Sequence, residues 1–493
     1  MSGGLPDHAL TLELERGRHT PLLTFRGFAE SVALMGVSSA ANAVRGVLSA
    51  KILAVLLGPS PVGVLSQLIT FSALLMTVVP LGLTTGVAKM VAASKHSEEA
   101  SNRVIGSALA IGLGSGLLAA VVALFLAGPL SNLLLGTSKY AVLVALLAAS
   151  LPLSNFSGVV NYILQGLAEL RLLTAVNILA AAAALVTIAP LAYLYGLEGA
   201  VVAVVASSVF QAAISAGALV IAYSRLRWDV RRMRIGKSEG SQLLGYGGIM
   251  LVAGAVLVGG TVIVRTLLTR KAGTYANGLY QVPFVLSAQY ISVFLLWMSA
   301  YVFPRIASER SPRRVAVGLN FALVANLLVL TPIFVGVVAA RGIVINVLLS
   351  SAFLAAAPLV IVQVLGDLLR VVGWSYGYAL FAQGHPRAHL LLVATQTITW
   401  IVLAAPLIPF FGAAGVVGAY AVSQLTTPLL AYGMGKRWFG LRITTEAVGL
   451  LAMAAFLIVA AALLPAWIAP LLIPVFPLVF FLARRRPGVS WLA

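Results

Sequence analysis

The chain has 493 residues, of which 61% are hydrophobic and only 9% are charged, and its formal net charge is +19. Ordinary globular domains carry about 25% charged residues, so this composition excludes a water-soluble protein with a charged surface. The sequence has no cysteine, which excludes disulfides, thiolate catalysis and cysteine metal sites.

Apolar stretches of about 20 residues, the length that crosses a bilayer, recur along almost the whole chain. They predict an all-α polytopic membrane protein with fourteen spans. The alternative is twelve, because prolines interrupt the last two stretches. The predicted spans are 30–57, 62–92, 104–127, 141–164, 173–195, 199–224, 242–269, 277–303, 315–340, 355–382, 389–411, 414–435, 446–464 and 467–483.

Basic residues cluster on one side of these spans. They are frequent in the central loop 225–241, after the eighth span and after the last span, and sparse on the other side. Because Lys and Arg favour cytoplasmic loops, we predict that both termini are cytoplasmic. The asymmetry also explains the net charge, so we expect no nucleic-acid partner.

The chain repeats itself with offsets of 214 to 218 residues. Gln165-Gly166 matches Gln383-Gly384, Gly196 and Gly199 match Gly412 and Gly415, and the segment 51–68 overlays 265–282. The repeat predicts two six-helix lobes of the same orientation, as in transporters that rock two halves against each other. The predicted domains are a tail 1–29, an N-lobe 30–224, a basic linker 225–241, a C-lobe 242–440 and a C-terminal hairpin with a basic tail, 441–493.

Five basic side chains lie within apolar spans, and a single acid, Asp367, accompanies them at depth. A charge that faces lipid costs about 2.5–3.5 kcal/mol or more, so these groups are expected to face a hydrated interior. A cationic interior suits the movement of an anion. The five residues are Arg45, Lys51, Lys89, Arg265 and Arg370.

Loops of no more than about 20 residues leave little room for an extramembrane active site, which speaks against a membrane enzyme of polysaccharide assembly. The sequence also has no phosphate-binding Gly-x-x-x-x-Gly-Lys-Ser/Thr motif. The histidines show no ligand spacing on one span. We therefore expect no catalytic residues, no metal site and no cofactor.

Three motifs resemble those of Wzx-type flippases, the O-antigen and lipid-linked polysaccharide translocases of the MATE-like MOP superfamily. The motifs are Ala50-Lys51-Ile52-Leu53-Ala54-Val55-Leu56-Leu57-Gly58-Pro59, Gly86-Val87-Ala88-Lys89, and Gln363-Val364-Leu365-Gly366-Asp367-Leu368-Leu369-Arg370. The C-terminal hairpin departs from many twelve-span members of that family. Lipid II flippases of the same superfamily have fourteen spans and stay an alternative, as does a multidrug exporter, which is expected to have an acidic cavity.

The resemblance implies a pseudo-two-fold pair of six-helix lobes around a central cavity. It also implies transfer of an undecaprenyl-pyrophosphate-linked oligosaccharide from the cytoplasmic to the outer leaflet of the bacterial inner membrane by alternating access. The expected partners are this substrate, membrane lipid, H⁺ or Na⁺ as the coupling ion, and polysaccharide polymerase or other assembly proteins.

Arg45 shares one helical face with Asn42 and Ser49, which predicts a polar stripe that lines a lumen. A guanidinium there suits bidentate contact with pyrophosphate. The alternative is an internal ion pair or helix–helix hydrogen bond.

Asp367 and Arg370 are three residues apart in the tenth span. They fit either a self-neutralised structural pair or a gate in which protonation of Asp367 releases Arg370 for the anion. Lys51 and Arg265 are predicted at the cavity mouth, although either side chain can also reach the interface, and so can Lys89.

Overall fold

A computed structural model describes residues 25–80, 83–245, 248–465 and 467–484. Within these ranges the secondary structure is helical, and no strand occurs. The structure therefore confirms the predicted all-α class. Predicted features of residues 1–24 and of the basic tail after residue 484 lie outside the described residues.

The N-lobe is built from eight helices. Its predicted second span is two helices, α2 and α3, and the fourth is α6 and α7, whereas the fifth and sixth spans form one long helix bent at Gly196. The bounds are α1 Phe25–Leu57, α2 Pro59–Val78, α3 Leu83–Ser94, α4 Glu98–Phe125, α5 Ala127–Leu135, α6 Ala141–Ala149, α7 Leu151–Gly166 and α8 Leu170–Leu226.

The linker folds back onto the N-lobe. Its helix α9, Lys237–Gly245, packs against α3 and α4. Ser107 Oγ donates to the Gly236 carbonyl at 3.1 Å, and Arg103 Nε lies 3.1 Å from Glu239 Oε1. The linker is thus attached to one lobe through its own polar contacts.

The C-lobe follows the same plan. Its first two spans form one long helix, α10, bent at Gly273, and a π-helical segment, Met298–Val302, leads into α11. The bounds are α10 Gly248–Trp297, α11 Phe303–Ser308, α12 Pro312–Ala339, α13 Arg341–Leu348, α14 Ala357–Ala382, α15 Pro386–Phe411, α16 Ala413–Ser423 and α17 Thr426–Phe439.

The C-terminal hairpin consists of α18, Thr445–Leu463, a short 3₁₀ turn and α19, Val475–Arg484. Buried side chains of the hairpin, among them Leu450, Leu457 and Phe476, belong to the same apolar core as α12 and α14. Arg341 donates hydrogen bonds to the carbonyls of Val338 and Ala462, at 2.8 and 3.2 Å. The hairpin is therefore a part of the C-lobe.

Glycines with positive φ mark equivalent bends in the two lobes. Gly58 and Gly273 have φ of 73° and 87°, and Gly196 and Gly412 have φ of 59° and 53°. Only glycine adopts such angles without a steric penalty. Each pair is separated by nearly the same number of residues, in agreement with the repeat in the sequence.

Eleven helices in the described residues are long and apolar enough to cross a membrane, and two of them, α8 and α10, each cover two predicted spans. The apolar helix at Ala469–Phe480 is shorter. The chain is thus a multi-pass membrane protein, and a full crossing by the last predicted span stays a prediction.

Candidate functional site

The two lobes meet along α2 and α10, and their hydrogen bonds lie on the side of the molecule that carries Gly58 and Gly273. We call this side the far side, and the opposite side the linker side. A Cβ on Gly63 would lie 1.9 Å from the Thr274 carbonyl oxygen, and one on Gly278 would lie 1.9 Å from that of Pro59. Only residues without side chains allow this backbone approach, so the lobes are closed on the far side.

A cavity of about 440 Å³ lies between α2 of the N-lobe and the helices α10, α14, α15 and α16 of the C-lobe. Most of its wall is apolar, with scattered hydroxyl and amide groups. Arg370 is the one charged residue among the described residues that line it. The polar wall also contains Thr70, Thr261, Ser287, Ser292, Gln363 and Gln396.

The Arg370 side chain lines this cavity, whereas the side chain of its acidic neighbour Asp367 does not. Arg370 Nη1 lies 3.9 Å from Asp367 Oδ1, and the side chains are 19% and 0% exposed. The guanidinium carbon also lies 4.2 Å from the centroid of the Trp374 ring. An ion pair at this distance leaves donors of the guanidinium available toward the cavity.

Asp367 is enclosed by neutral donors. The hydroxyls of Tyr290 and Tyr420 each donate to its carboxylate at 2.5 Å, and Gln363 Nε2 donates at 3.3 Å. Charge-assisted bonds of this kind are short and strong. Because the tyrosines satisfy much of the carboxylate, Asp367 orients Arg370 without saturating it.

Arg265 lies outside the cavity, in a polar network that joins the lobes on the far side. Its Nη1 donates to Ser66 Oγ at 3.0 Å and to Asn277 Oδ1 at 2.9 Å, and its Nη2 donates to Gln281 Oε1. Its side chain is fully buried. These three partners are neutral, so this buried cation has hydrogen bonds but no carboxylate partner among the described residues.

Further contacts complete the far-side network. Asn277 Nδ2 donates to the Gly63 carbonyl at 2.8 Å, and Gln67 Nε2 donates to Thr266 Oγ1 at 2.7 Å. Both bonds cross from one lobe to the other. Gln67 and Gln281, which the sequence repeat superposes, thus both belong to this network.

The remaining predicted residues are dispersed along α1 and α3. Lys51 Nζ donates to the Asn346 carbonyl at 2.8 Å, a contact between the lobes on the far side. Arg45 and Lys89 are exposed, and Asn42 Nδ2 donates to the Ser38 carbonyl one turn earlier. The structure therefore does not gather the predicted cations into one cluster; Arg370 lines the cavity, and Arg265 and Lys51 hold the far side closed.

Arg45 lies at the level where α1 approaches the wall of the cavity. A Cβ on its neighbour Gly46 would lie 3.4 Å from Nε2 of Gln289, on the second half of α10. Gln289 follows Ala288, which lines the cavity. This contact brings the polar stripe of α1 next to the seam between the lobes.

A second cavity, of about 290 Å³, lies within the N-lobe on the linker side, among α1, α7 and α8. Sequence reasoning did not identify it, because its polar residues come from three separate spans. The polar residues of the second cavity are Ser38, Ser39, Asn161, Tyr162, Gln165, Thr174 and Asn177.

Sequence reasoning also missed Tyr290 and Tyr420 around Asp367, because their hydroxyls give no periodic signal. Gln363, one turn before Asp367, was detectable as an amide in an apolar span.

No group of three or more His, Asp or Glu side chains with a metal-binding arrangement occurs among the described residues. The Asp367 site brings two phenols, an amide and a guanidinium around one carboxylate. The far-side network joins the two lobes by hydrogen bonds between neutral groups and one guanidinium.

The family model for "Polysaccharide biosynthesis protein" matches residues 28–309, more than half of the chain. The Lipid III flippase of Escherichia coli (strain K12) is 27% identical over 408 residues, which cover 80% of this chain and 94% of the relative. The Lipid III flippase of Shigella flexneri gives the same values.

Solved MATE-type structures share the fold. An inward-facing multidrug resistance MATE family transporter of the MOP superfamily superposes with a TM-score of 0.69 at 14% identity, covering 84% of this chain and 95% of that chain. The outward-facing structure of a transporter of this kind gives 0.60 at 15% identity, covering 86% and 96%. A MOP superfamily transporter from Pyrococcus furiosus gives 0.61 at 14% identity, with coverage of 86% and 96%. These similarities confirm the predicted MATE-like pair of six-helix lobes.

Proposed function

Because the chain belongs to the polysaccharide biosynthesis protein family, we propose that it is a flippase for an undecaprenyl-pyrophosphate-linked oligosaccharide of the O-antigen type. It is a transporter of the MOP superfamily and not an enzyme. The relatives named Lipid III flippase support a lipid-linked glycan as the cargo. The proposed direction is from the cytoplasmic to the outer leaflet of the bacterial inner membrane.

One observation carries this proposal: the cavity between the lobes presents a guanidinium to its interior and keeps the neighbouring carboxylate out of reach. Arg370 lines the cavity, whereas Asp367 is fully buried and hydrogen-bonded to two tyrosines. A guanidinium recognises phosphate through paired, charge-assisted hydrogen bonds. An exporter of cationic drugs needs the opposite arrangement, with the acid exposed.

The proposed cycle is alternating access. The linker side is the cytoplasmic side, since its loops hold most of the Lys and Arg. The lobes are hydrogen-bonded on the far side, which supports an inward-open state that is ready to accept substrate from the cytoplasm. Arg370 from the C-lobe and Arg45 from the N-lobe then contact the pyrophosphate, while the lipid tail stays in the bilayer between the lobes.

The far-side cations are proposed to act after the lobes rock. In the present state Arg265 and Lys51 are occupied by neutral oxygen atoms of the closed gate. When the far side opens, both groups become hydrated and free to contact the phosphate at the cavity mouth. Lys89, exposed near the linker-side end of α3, and Asn42 would contact the head group at entry.

Asp367 is the proposed coupling site. Protonation would remove its attraction for Arg370 and strengthen the hold of the guanidinium on the anion, which makes H⁺ the coupling ion that this geometry favours over Na⁺. Polysaccharide polymerase and other assembly proteins are the proposed partners that use the transferred glycan.

The proposal is tested by reconstituting the protein in vesicles with a prenyl-pyrophosphate-linked disaccharide that carries a fluorophore on its sugar. Transfer of the head group is followed by quenching from one side. We expect Arg370→Ala to slow transfer at limiting substrate about ten- to a hundredfold, since a hydrogen bond to a charged group contributes about 1.5–3 kcal/mol.

The matched control is Arg437→Ala, which removes an exposed arginine at the end of α17 and is expected to transfer at the wild-type rate. Wild-type vesicles that transfer no faster than protein-free vesicles would overturn the proposed function. Equal rates for wild type and Arg370→Ala would remove Arg370 from the site.

A further inference from the structure

The N-lobe cavity has a lining unlike that of the cavity between the lobes. Its walls carry hydroxyls and carboxamides, and none of the described residues that line it is charged. Asn161 and Gln165 come from α7, Asn177 from α8 and Ser38 from α1. A lining of neutral groups that both donate and accept hydrogen bonds matches a neutral ligand rich in hydroxyls, and offers an ion no opposite charge.

Two side-chain amides of the cavity wall differ in their hydrogen bonding. Asn177 Nδ2 donates to Ser38 Oγ at 2.8 Å, which fixes the positions of both groups and joins α8 to α1. Asn161 Oδ1 is buried and has no hydrogen-bond partner among the described residues. An unpaired buried acceptor is unfavourable, so this oxygen would gain from a ligand that brings a hydrogen-bond donor.

The cavity is also placed where the glycan is expected. Ser38 is seven residues before Arg45 on α1, so the two share one helical face and lie about 10 Å apart along the axis. Asn42, between them, bonds back to the Ser38 carbonyl. A pyrophosphate held at Arg45 would have the cavity on its linker side, which is the side from which the substrate enters.

The volume restricts the ligand to a small one. Cavities that hold drug-sized ligands measure about 300–1,000 Å³, and this one has about 290 Å³. One or two sugar rings fit such a space, but a complete oligosaccharide does not. Tyr162 adds an aromatic surface to the wall.

We infer that the N-lobe cavity binds a neutral sugar unit of the pyrophosphate-linked glycan and thereby selects which glycans the protein accepts. The inference rests on the proposed function, because it takes the glycan to be part of the cargo. It adds a site that recognises the sugar, separate from the arginines that are proposed to bind the phosphate.

The test compares two fluorescent substrates, a prenyl pyrophosphate without sugar and the same lipid with a neutral disaccharide. Asn161→Leu keeps the side-chain volume and removes its hydrogen bonds. We expect it to weaken the apparent affinity for the disaccharide substrate about tenfold, the effect of about 1.4 kcal/mol, and to leave the sugar-free substrate unchanged. Arg370→Ala is expected to weaken both.

A second measurement does not depend on transport. The chain has no cysteine, so Gln165→Cys introduces a single thiol into the cavity wall, where a water-soluble maleimide can label it. The disaccharide substrate is expected to slow labelling at least fivefold, whereas the sugar-free lipid is not.

The outcomes separate the two proposals. If wild type moves the disaccharide substrate but Asn161→Leu affects both substrates equally, or labelling is protected by neither lipid, the sugar site is wrong and the flippase proposal stands. If wild type moves neither substrate, the proposed function itself fails.

Discussion

Asn277 is the residue of the far-side gate whose substitution has the clearest expected effect on the balance between the closed and the open state. Its side chain accepts from Arg265 within the C-lobe and donates to the Gly63 carbonyl of the N-lobe. Asn277→Leu keeps the volume but removes both bonds. The charge-assisted bond contributes about 1.5–3 kcal/mol and the neutral bond about 0.5–1.5 kcal/mol, and water replaces both when the gate opens.

The closed far side should therefore lose about 2–4.5 kcal/mol relative to the open state, a shift of about thirtyfold or more in the ratio of the two states. The substitution leaves Arg265 in place, so the free-energy cost of burying its charge in the closed state stays the same. This cost therefore does not offset the shift toward the open state. Spin labels at Lys139→Cys and Ser351→Cys, two exposed far-side positions in different lobes, measure the separation by pulsed dipolar spectroscopy.

Asn326→Leu is the matched control. Asn326 is an equally buried asparagine, but its bond to Ser375, at 2.8 Å, lies within the C-lobe. It should lower stability without lengthening the distance between labels. An unchanged distance distribution in Asn277→Leu, or the same change in both variants, would refute the interpretation of the network as a gate.

Three further predictions concern other contacts. Gly278→Ala places a methyl group against the carbonyl of the first residue of α2, so it should lengthen the same label distance as Asn277→Leu; an unaltered distance would contradict the close approach of the helices. Tyr420→Phe removes one of the two hydroxyls that hold Asp367, and should lower stability by about 1.5–3 kcal/mol, measured as a lower Tm in detergent; a Tm equal to that of wild type would argue against the bond. Glu239→Gln removes the partly exposed ion pair with Arg103 and should change stability by less than about 1 kcal/mol, an effect that added salt diminishes; a large, salt-independent loss would show that the linker depends on that pair.

The sequence was sufficient to predict the class of fold because the signals involved are periodic or compositional. Apolar runs of membrane length predict spans, and the matched glycines, such as Gly196 and Gly412, predict the repeat. The breaks inside the second, fourth and twelfth spans were missed, since apolar composition continues across them.

The candidate site was predictable only in part. The cost of a charge in lipid drew attention to Arg370 and Asp367, and the structure places the two side chains 3.9 Å apart, with Arg370 in the cavity wall and Asp367 buried behind it. It did not distinguish a cation that faces a cavity from one that neutral groups enclose, as at Arg265. The partners of Arg265 come from distant positions of the chain, and only the folded arrangement of α2 and α10 assembles them.

The C-terminal hairpin makes the two halves of the molecule unequal. Its buried residues share one hydrophobic core with α12 and α14, and Arg341 ties the ends of α12 and α18 together. A chain shortened after α17 would keep the first twelve predicted spans, but it would not be a minimal version of this protein. It would expose an apolar surface of the C-lobe that the hairpin now covers. The two halves thus share one repeated plan but differ in bulk, and if one half moves against the other, the hairpin would move with the second.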